Sequence, residues 1–205
     1  MKILFISLGC DKNLADSEEM LGLLTGNGHE IVDSEEEADA IVINTCCFIH
    51  DAKEESVNTI LEMAEYKKTG TCKILIVTGC MAQRYKEEIT EEIPEVDAVL
   101  GTTSYGDIVK ALNEAEAGHV FREFKDINAL PEDSGRRVIT TGGHFGYLKI
   151  AEGCDKHCTY CIIPSLRGKF RSVPEERLLK QAEYMASQGV RELILVAQET
   201  TVYGT

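Results

Sequence analysis

Residues 72–80 read CKILIVTGC, a short run of β-branched residues and leucine closed by a glycine and a cysteine. The plan recurs at residues 2–10 (KILFISLGC), 38–46 (ADAIVINTC) and 146–154 (GYLKIAEGC), each time ending on a cysteine. Continuous apolar runs this short predict strands covered on both faces, as in parallel sheets. Amphipathic stretches separate the first three. In LADSEEMLGLLTGNG (14–28), Leu14, Met20, Leu21 and Leu24 stand near helical spacing before a glycine stop. In DAKEESVNTILEMAEYKKTG (51–70), Val57, Ile60, Leu61 and Ala64 share one face, and Lys67, Lys68 and Gly70 form a C-terminal signal. AQRYKEEITEEIP (82–94) and SYGDIVKALNEAEAG (104–118) predict two more helices, with VDAVLG (96–101) a strand between them. Strands alternating with helices predict an α/β domain around a parallel sheet, over residues 1–125.

Residues 126–143, DINALPEDSGRRVITTGG, lack a helical or strand period and are expected to be a linker. A second α/β unit, residues 144–205, follows: strand FGYLKIAEG, a cysteine loop, helix RSVPEERLLKQAEYMASQG and strand VRELILVAQE. Pro174 fits the helix start and Gly189 its end. One β-loop-α-β unit is far short of the ~250 residues of a closed (β/α)8 barrel, so the chain is expected to be one piece of a longer protein.

The chain has 205 residues, 43% apolar and 27% charged, a composition able to bury a core. No apolar run approaches the ~20 residues of a membrane span. The opening MKILFISLGC runs straight into DKNLADSEE with no small-residue cleavage site, so it is read as a strand and the protein as cytoplasmic. Eight cysteines in that compartment favour metal binding or redox chemistry over disulfides. The net charge of −14 argues against broad contact with a phosphate backbone and suits a basic partner better. The acidic runs DSEEEAD and EEITEEIPE are expected to be solvated faces.

Ligand sites in open parallel sheets lie beyond the carboxyl ends of the strands. Cys10, Cys46 and Cys80 each stand there on a separate strand, so neighbouring strands would gather three thiolates for a soft metal or an iron–sulfur cluster. Cys47 points away from Cys46 by register, and Cys72 lies at the opposite end of its strand, so both are expected to be small buried residues. GCDKHCTYC supplies a second set, Cys154, Cys158 and Cys161, spaced CxxxCxxC. Three thiolates on a cubane cluster leave one iron open for a cofactor or substrate. A zinc site would need a fourth ligand. His157 sits inside the tight loop and is expected to face solvent.

CxxxCxxC with Tyr160 just before its last cysteine resembles the radical S-adenosylmethionine (SAM) superfamily. LKIAEGCDKHCTYCIIPSLRGKFRS (148–172), together with SLGCDKN, VINTCCF and IVTGCMAQR, resembles the methylthiotransferases within it. GCDKNLADSEE and VAQETTVYG are more similar to the branch that modifies an aspartate of a small-subunit ribosomal protein than to the tRNA-modifying branch. The resemblance implies an N-terminal methylthiotransferase domain followed by the start of a TIM-like radical SAM barrel. It implies two 4Fe–4S clusters, one on Cys154, Cys158 and Cys161 that binds and cleaves SAM, the other on Cys10, Cys46 and Cys80 that carries the sulfur to be inserted. Tyr160 would lie against the adenine and Gln198 would contact the cofactor. Arg167 and Arg171 would meet carboxylates of cofactor or substrate. A basic ribosomal protein would be the substrate, and flavodoxin or ferredoxin the electron donor. Relatives often have glycine at the position of Cys47 and aspartate at that of Glu199. Most of the barrel and a C-terminal substrate-binding domain are missing, so this chain alone is expected to be inactive. A tRNA methylthiotransferase, a non-catalytic two-cluster electron carrier and a zinc-binding interaction module are the alternatives.

Overall fold

The computed structural model describes residues 1–132 and 135–205. Its first region alternates strand and helix: β1 (Lys2–Ser7), α1 (Asp11–Gly26), β2 (Glu30–Val32), β3 (Ala40–Thr45), α2 (His50–Thr69), β4 (Ile74–Gly79), α3 (Cys80–Glu92), β5 (Ala98–Leu100), α4 (Ile108–Glu116) and β6 (Phe121–Glu123). The six strands form one sheet in the order β2-β1-β3-β4-β5-β6, every pair parallel. This is the sheet that the apolar runs predict, with β2 and β6 added as its edges. FRE (121–123) carries no strand signal of its own and serves as a three-residue edge strand.

Side-chain alternation explains why the inner runs are apolar throughout. Ile41, Ile43, Leu75, Val77 and Val99 face Ile60, Met63 and Ile89 of α2 and α3. The residues between them, Val42, Ile74, Ile76, Ala98 and Leu100, face Met20, Leu24, Ile108 and Leu112 of α1 and α4. β3, β4 and β5 therefore bury both faces, as doubly covered parallel strands must. Leu61, expected on the buried face of α2, is 47% exposed. It lies one residue past the stripe of Ile60, Met63 and Ala64, and one residue is about 100° of helix.

The second region contains β7 (Phe145–Lys149), β8 (Ala151–Glu152), α5 (Ile163–Arg167), β9 (Arg171–Ser172), α6 (Glu175–Ser187) and β10 (Glu192–Val196). β7 and β10 pair in parallel, and β8 turns aside to pair antiparallel with β9. Leu148, Ile150, Val173, Leu178, Met185 and Val190 form its core. On β10, Leu193, Ile194 and Leu195 are exposed, and β7 is its one neighbour among the described residues. No helix of the described residues is long and apolar enough to cross a membrane.

Residues 133 and 134 of the segment between the regions lie outside the described residues, and its residues 136–140 hold a fixed path across α1. Val138 N donates to Glu18 O at 3.0 Å, and Arg136 donates to Gly26 O. A Cβ on Gly22 would meet the Arg136 carbonyl carbon and oxygen at 2.7 Å and Arg137 N at 2.8 Å. A helix glycine at this position lets the strap lie on the helix backbone. Gly22→Ala gains about 1 kcal/mol of helix propensity and loses about 1–3 kcal/mol to overpacking against backbone that cannot yield. Its thermal midpoint is expected to fall, where propensity alone predicts a rise.

Candidate functional site

The strand order reverses between β1 and β3, and ligands of open parallel sheets bind in the crevice at such a reversal. Cys10 immediately precedes α1, Cys46 follows β3, and Cys80 opens α3. Their strands are neighbours, so the three thiols come to one edge of the sheet. Gly9 has φ +91°, and a Cβ there would meet Cys46 Cβ at 2.6 Å and Cys46 Sγ at 3.0 Å. The Cys10 loop lies against Cys46 because that residue has no side chain. Ser56 of α2 pins Cys46 by accepting from its backbone N (3.0 Å) and donating to its carbonyl (2.7 Å).

Asn13 ties these loops together. It is 1% exposed. Its Nδ2 donates to Leu8 O (3.0 Å), before Cys10, and to Thr45 O (2.9 Å), before Cys46. Its Oδ1 stands 3.9 Å from Cys80 Sγ. Sequence reasoning passed over Asn13, although it sits within the quoted GCDKN run.

The second set lies across a cavity of about 1120 Å³, whose walls include Cys10, Cys46, Cys80, Cys154, Cys158, Cys161, Tyr160, Arg167, Gln198 and Glu199. Cys158 is exposed, and Cys154 and Cys161 are half-buried. The loop is held by Cys161 N donating to Cys158 O (3.0 Å) and Cys154 N to Gly168 O (3.1 Å). Tyr160 is 88% exposed at the cavity wall. Gln198 Oε1 is buried with no hydrogen-bond partner, an acceptor without a donor. His157 is exposed. Lys156 of the loop pairs with Glu199 beyond β10, and this ammonium and the Thr201 hydroxyl hold Glu199 down at about 2. Cys47 is buried in the core on the α2–α3 side, where burial pushes its thiol up to about 11. Cys72 is buried at the start of β4 and donates to Ile74 O at 3.3 Å. Neither is among the residues lining the cavity. Among the described residues, no three His, Cys, Asp or Glu side chains close on a point fit for a single ion.

A buried ion network joins the two regions behind the cavity. Arg167 Nη1 donates to Asp16 Oδ2 (2.7 Å), its Nη2 donates to Asn13 Oδ1 (2.6 Å), and Lys149 Nζ bonds both Asp16 and Glu152. All four charged groups are buried, two of each sign. Arg167 is 3% exposed. The expectation of a loop arginine reaching for a cofactor or substrate carboxylate is corrected: its carboxylates belong to the protein. Arg171, expected in the same role, is half-buried and donates to the carbonyls of Arg167 and Lys169. A second pairing fixes the strap, where Glu18 receives Arg137 Nε (2.7 Å), Thr140 N (2.7 Å) and Thr140 Oγ1 (2.8 Å). One signal was available. Glu18 is four residues after Leu14 and three before Leu21, within the apolar stripe of α1.

Burial opposes ionisation of Glu152, and Lys149 and Arg167 outweigh it, so its carboxyl lies below the ordinary value of 4.5. A lowered carboxyl contributes stability above its unfolded value, and that contribution is lost as pH falls through the folded one. The thermal midpoint is expected to drop below about pH 4, and Glu152→Gln to flatten that limb. Asp16→Asn leaves Lys149 and Arg167 short of countercharge and is expected to cost about 3–5 kcal/mol in denaturant unfolding.

Residues 2–101 match the model of the Uncharacterized protein family UPF0004, and residues 148–204 that of the Radical SAM superfamily. The chain is 66% identical over 204 residues to the ribosomal protein uS12 methylthiotransferase RimO of Lachnoclostridium phytofermentans, covering 100% of this chain and 46% of that protein. RimO of Clostridioides difficile is 51% identical over 204 residues, with the same coverage. RimO of Acetivibrio thermocellus is 50% identical over 210 residues, covering 99% of this chain and 46% of the relative. The chain thus spans a little under half the length of the curated relatives it matches. It joins a UPF0004 region to a radical SAM region and is similar throughout to RimO proteins.

Proposed function

We propose that the chain supplies the two cysteine sets of a methylthiotransferase that adds a methylthio group to an aspartate of ribosomal protein uS12. The observation that carries this reading is the shared cavity, with Cys10, Cys46 and Cys80 on one side and Cys154, Cys158 and Cys161 on the other. The donor set fits iron–sulfur clusters. All six ligands are thiols, each set has three, and a cubane with three protein ligands keeps one iron open. When bound, the clusters and SAM supply the one-electron cleavage, hydrogen abstraction and sulfur insertion that side chains do not perform.

The remaining work belongs to the chain. Residues 1–125 carry one cysteine set and residues 144–205 the other, with 126–143 as the linker that straps them. Tyr160 offers an exposed ring to an adenine face. Gln198 Oε1, buried and without a donor, accepts from a hydroxyl or ammonium of the cofactor. The net charge of −14 favours a basic protein substrate over tRNA. The electron comes from a small donor protein of the flavodoxin or ferredoxin kind.

The test is anaerobic reconstitution of the protein at the full length of its relatives. About eight irons per chain, release of 5′-deoxyadenosine, and a methylthio mass shift on uS12 are expected. A shift on tRNA instead would reassign the substrate, and iron without SAM cleavage would make the chain an electron carrier. Cys158→Ala is expected to abolish cleavage. Cys46→Ala is expected to lose about four irons and Cys47→Ala to keep them.

A further inference from the structure

We infer that Asn13 and Arg167 are positioning residues for the first cysteine set, and that the second region thereby controls what the first can hold. The inference rests on reading Cys10, Cys46 and Cys80 as cluster ligands. Asn13 acts at the level of the loops. Its amide nitrogen bridges the carbonyls of Leu8 and Thr45, so the backbones entering Cys10 and Cys46 share one buried donor. An amide held by both loops sets the separation of the two thiols. Its oxygen faces Cys80 Sγ, so one side chain touches the loops that lead into Cys10 and Cys46 and the thiol of Cys80.

Asn13 is fixed in turn from outside its own region. Arg167, six residues beyond Cys161, crosses to α1 and donates to Asn13 Oδ1 at 2.6 Å and to Asp16 at 2.7 Å. A bond from Arg to that oxygen leaves only the amide nitrogen to face Leu8 and Thr45, so the flipped amide is excluded. The guanidinium bonds the same Asn13 oxygen that Cys80 Sγ faces, which places a permanent positive charge near Cys80 in a buried setting. Positive charge there stabilises the reduced, more negative state of a cluster and raises its potential. Lys149 and Glu152 hold the same network, so the charge arrives only when the second region is docked.

The test uses the chain with Cys154, Cys158 and Cys161 changed to alanine, which leaves the first set alone. After anaerobic reconstitution, iron and sulfide are counted and the midpoint potential is read by electron paramagnetic resonance. The background is expected to hold about four irons. Asn13→Ala is expected to lose more than half of them while keeping the far-ultraviolet spectrum of the folded chain. Arg167→Gln is expected to move the midpoint to lower potential, and Arg167→Lys, which restores the charge, to recover most of that shift. If Asn13→Ala does not fold, Asn13→Asp replaces it, since it keeps the shape and loses the two donors. Full iron in a folded Asn13 variant together with an unchanged midpoint in Arg167→Gln overturns the inference and leaves the ligand reading intact. No iron in the background itself overturns both.

Discussion

Two carboxylates and two cations buried together hold the arrangement on which the cavity depends. Asp16 comes from α1, while Lys149, Glu152 and Arg167 come from the second region. Burying any one of them alone would cost several kcal/mol, so each requires the others. Apolar side chains of the same volume would join the regions about as well, yet they slide and rotate against one another. Charged hydrogen bonds are directional, and Arg167 can meet Asp16 and Asn13 at once in only one orientation of the second region. That orientation is the one in which both cysteine sets open on the same space.

Helix α1 is the element that makes this possible, because it serves three neighbours at once. Met20 and Leu24 pack on the sheet. Gly22 and Glu18 receive the strap. Asp16 and Asn13 reach the second region and the cysteine loops. A helix with this many buried polar groups would be unstable alone. It is stable here because Asp16 meets Lys149 and Arg167, Glu18 meets Arg137, and Glu19 accepts from the Tyr105 hydroxyl at 3.1 Å.

The parts legible in the sequence were those written as local pattern. β1, β3 and β4 appear as apolar runs, and the ordering of strand, glycine or threonine, then cysteine puts Cys10, Cys46 and Cys80 at strand ends. The CxxxCxxC loop needed no structure to be seen. The network was not legible because its members are far apart in sequence and individually ordinary. Lys149 inside an apolar strand and Glu18 inside an apolar stripe were each a local contradiction, resolved for Lys149 by Asp16 of the first region and for Glu18 by Arg137 and Thr140 of the strap. The same holds for the strap, whose residues have no period because they follow the surface of α1 instead of a ladder of their own. The break between β7 and β8 at Ile150 has no glycine or proline to announce it.

The bonds that close the cavity join residues 133 and 154 positions apart, Asp16 to Lys149 and Asn13 to Arg167. Contacts so distant along a chain form late, after the loop between them has closed. The six-stranded sheet needs nothing beyond Glu123, so it assembles first, with Cys10 and Cys46 at an open edge. Docking of the second region is then the step that walls the thiols in. The order of folding leaves an interval in which the thiols of the first set stand open to solvent, and the ion network ends that interval.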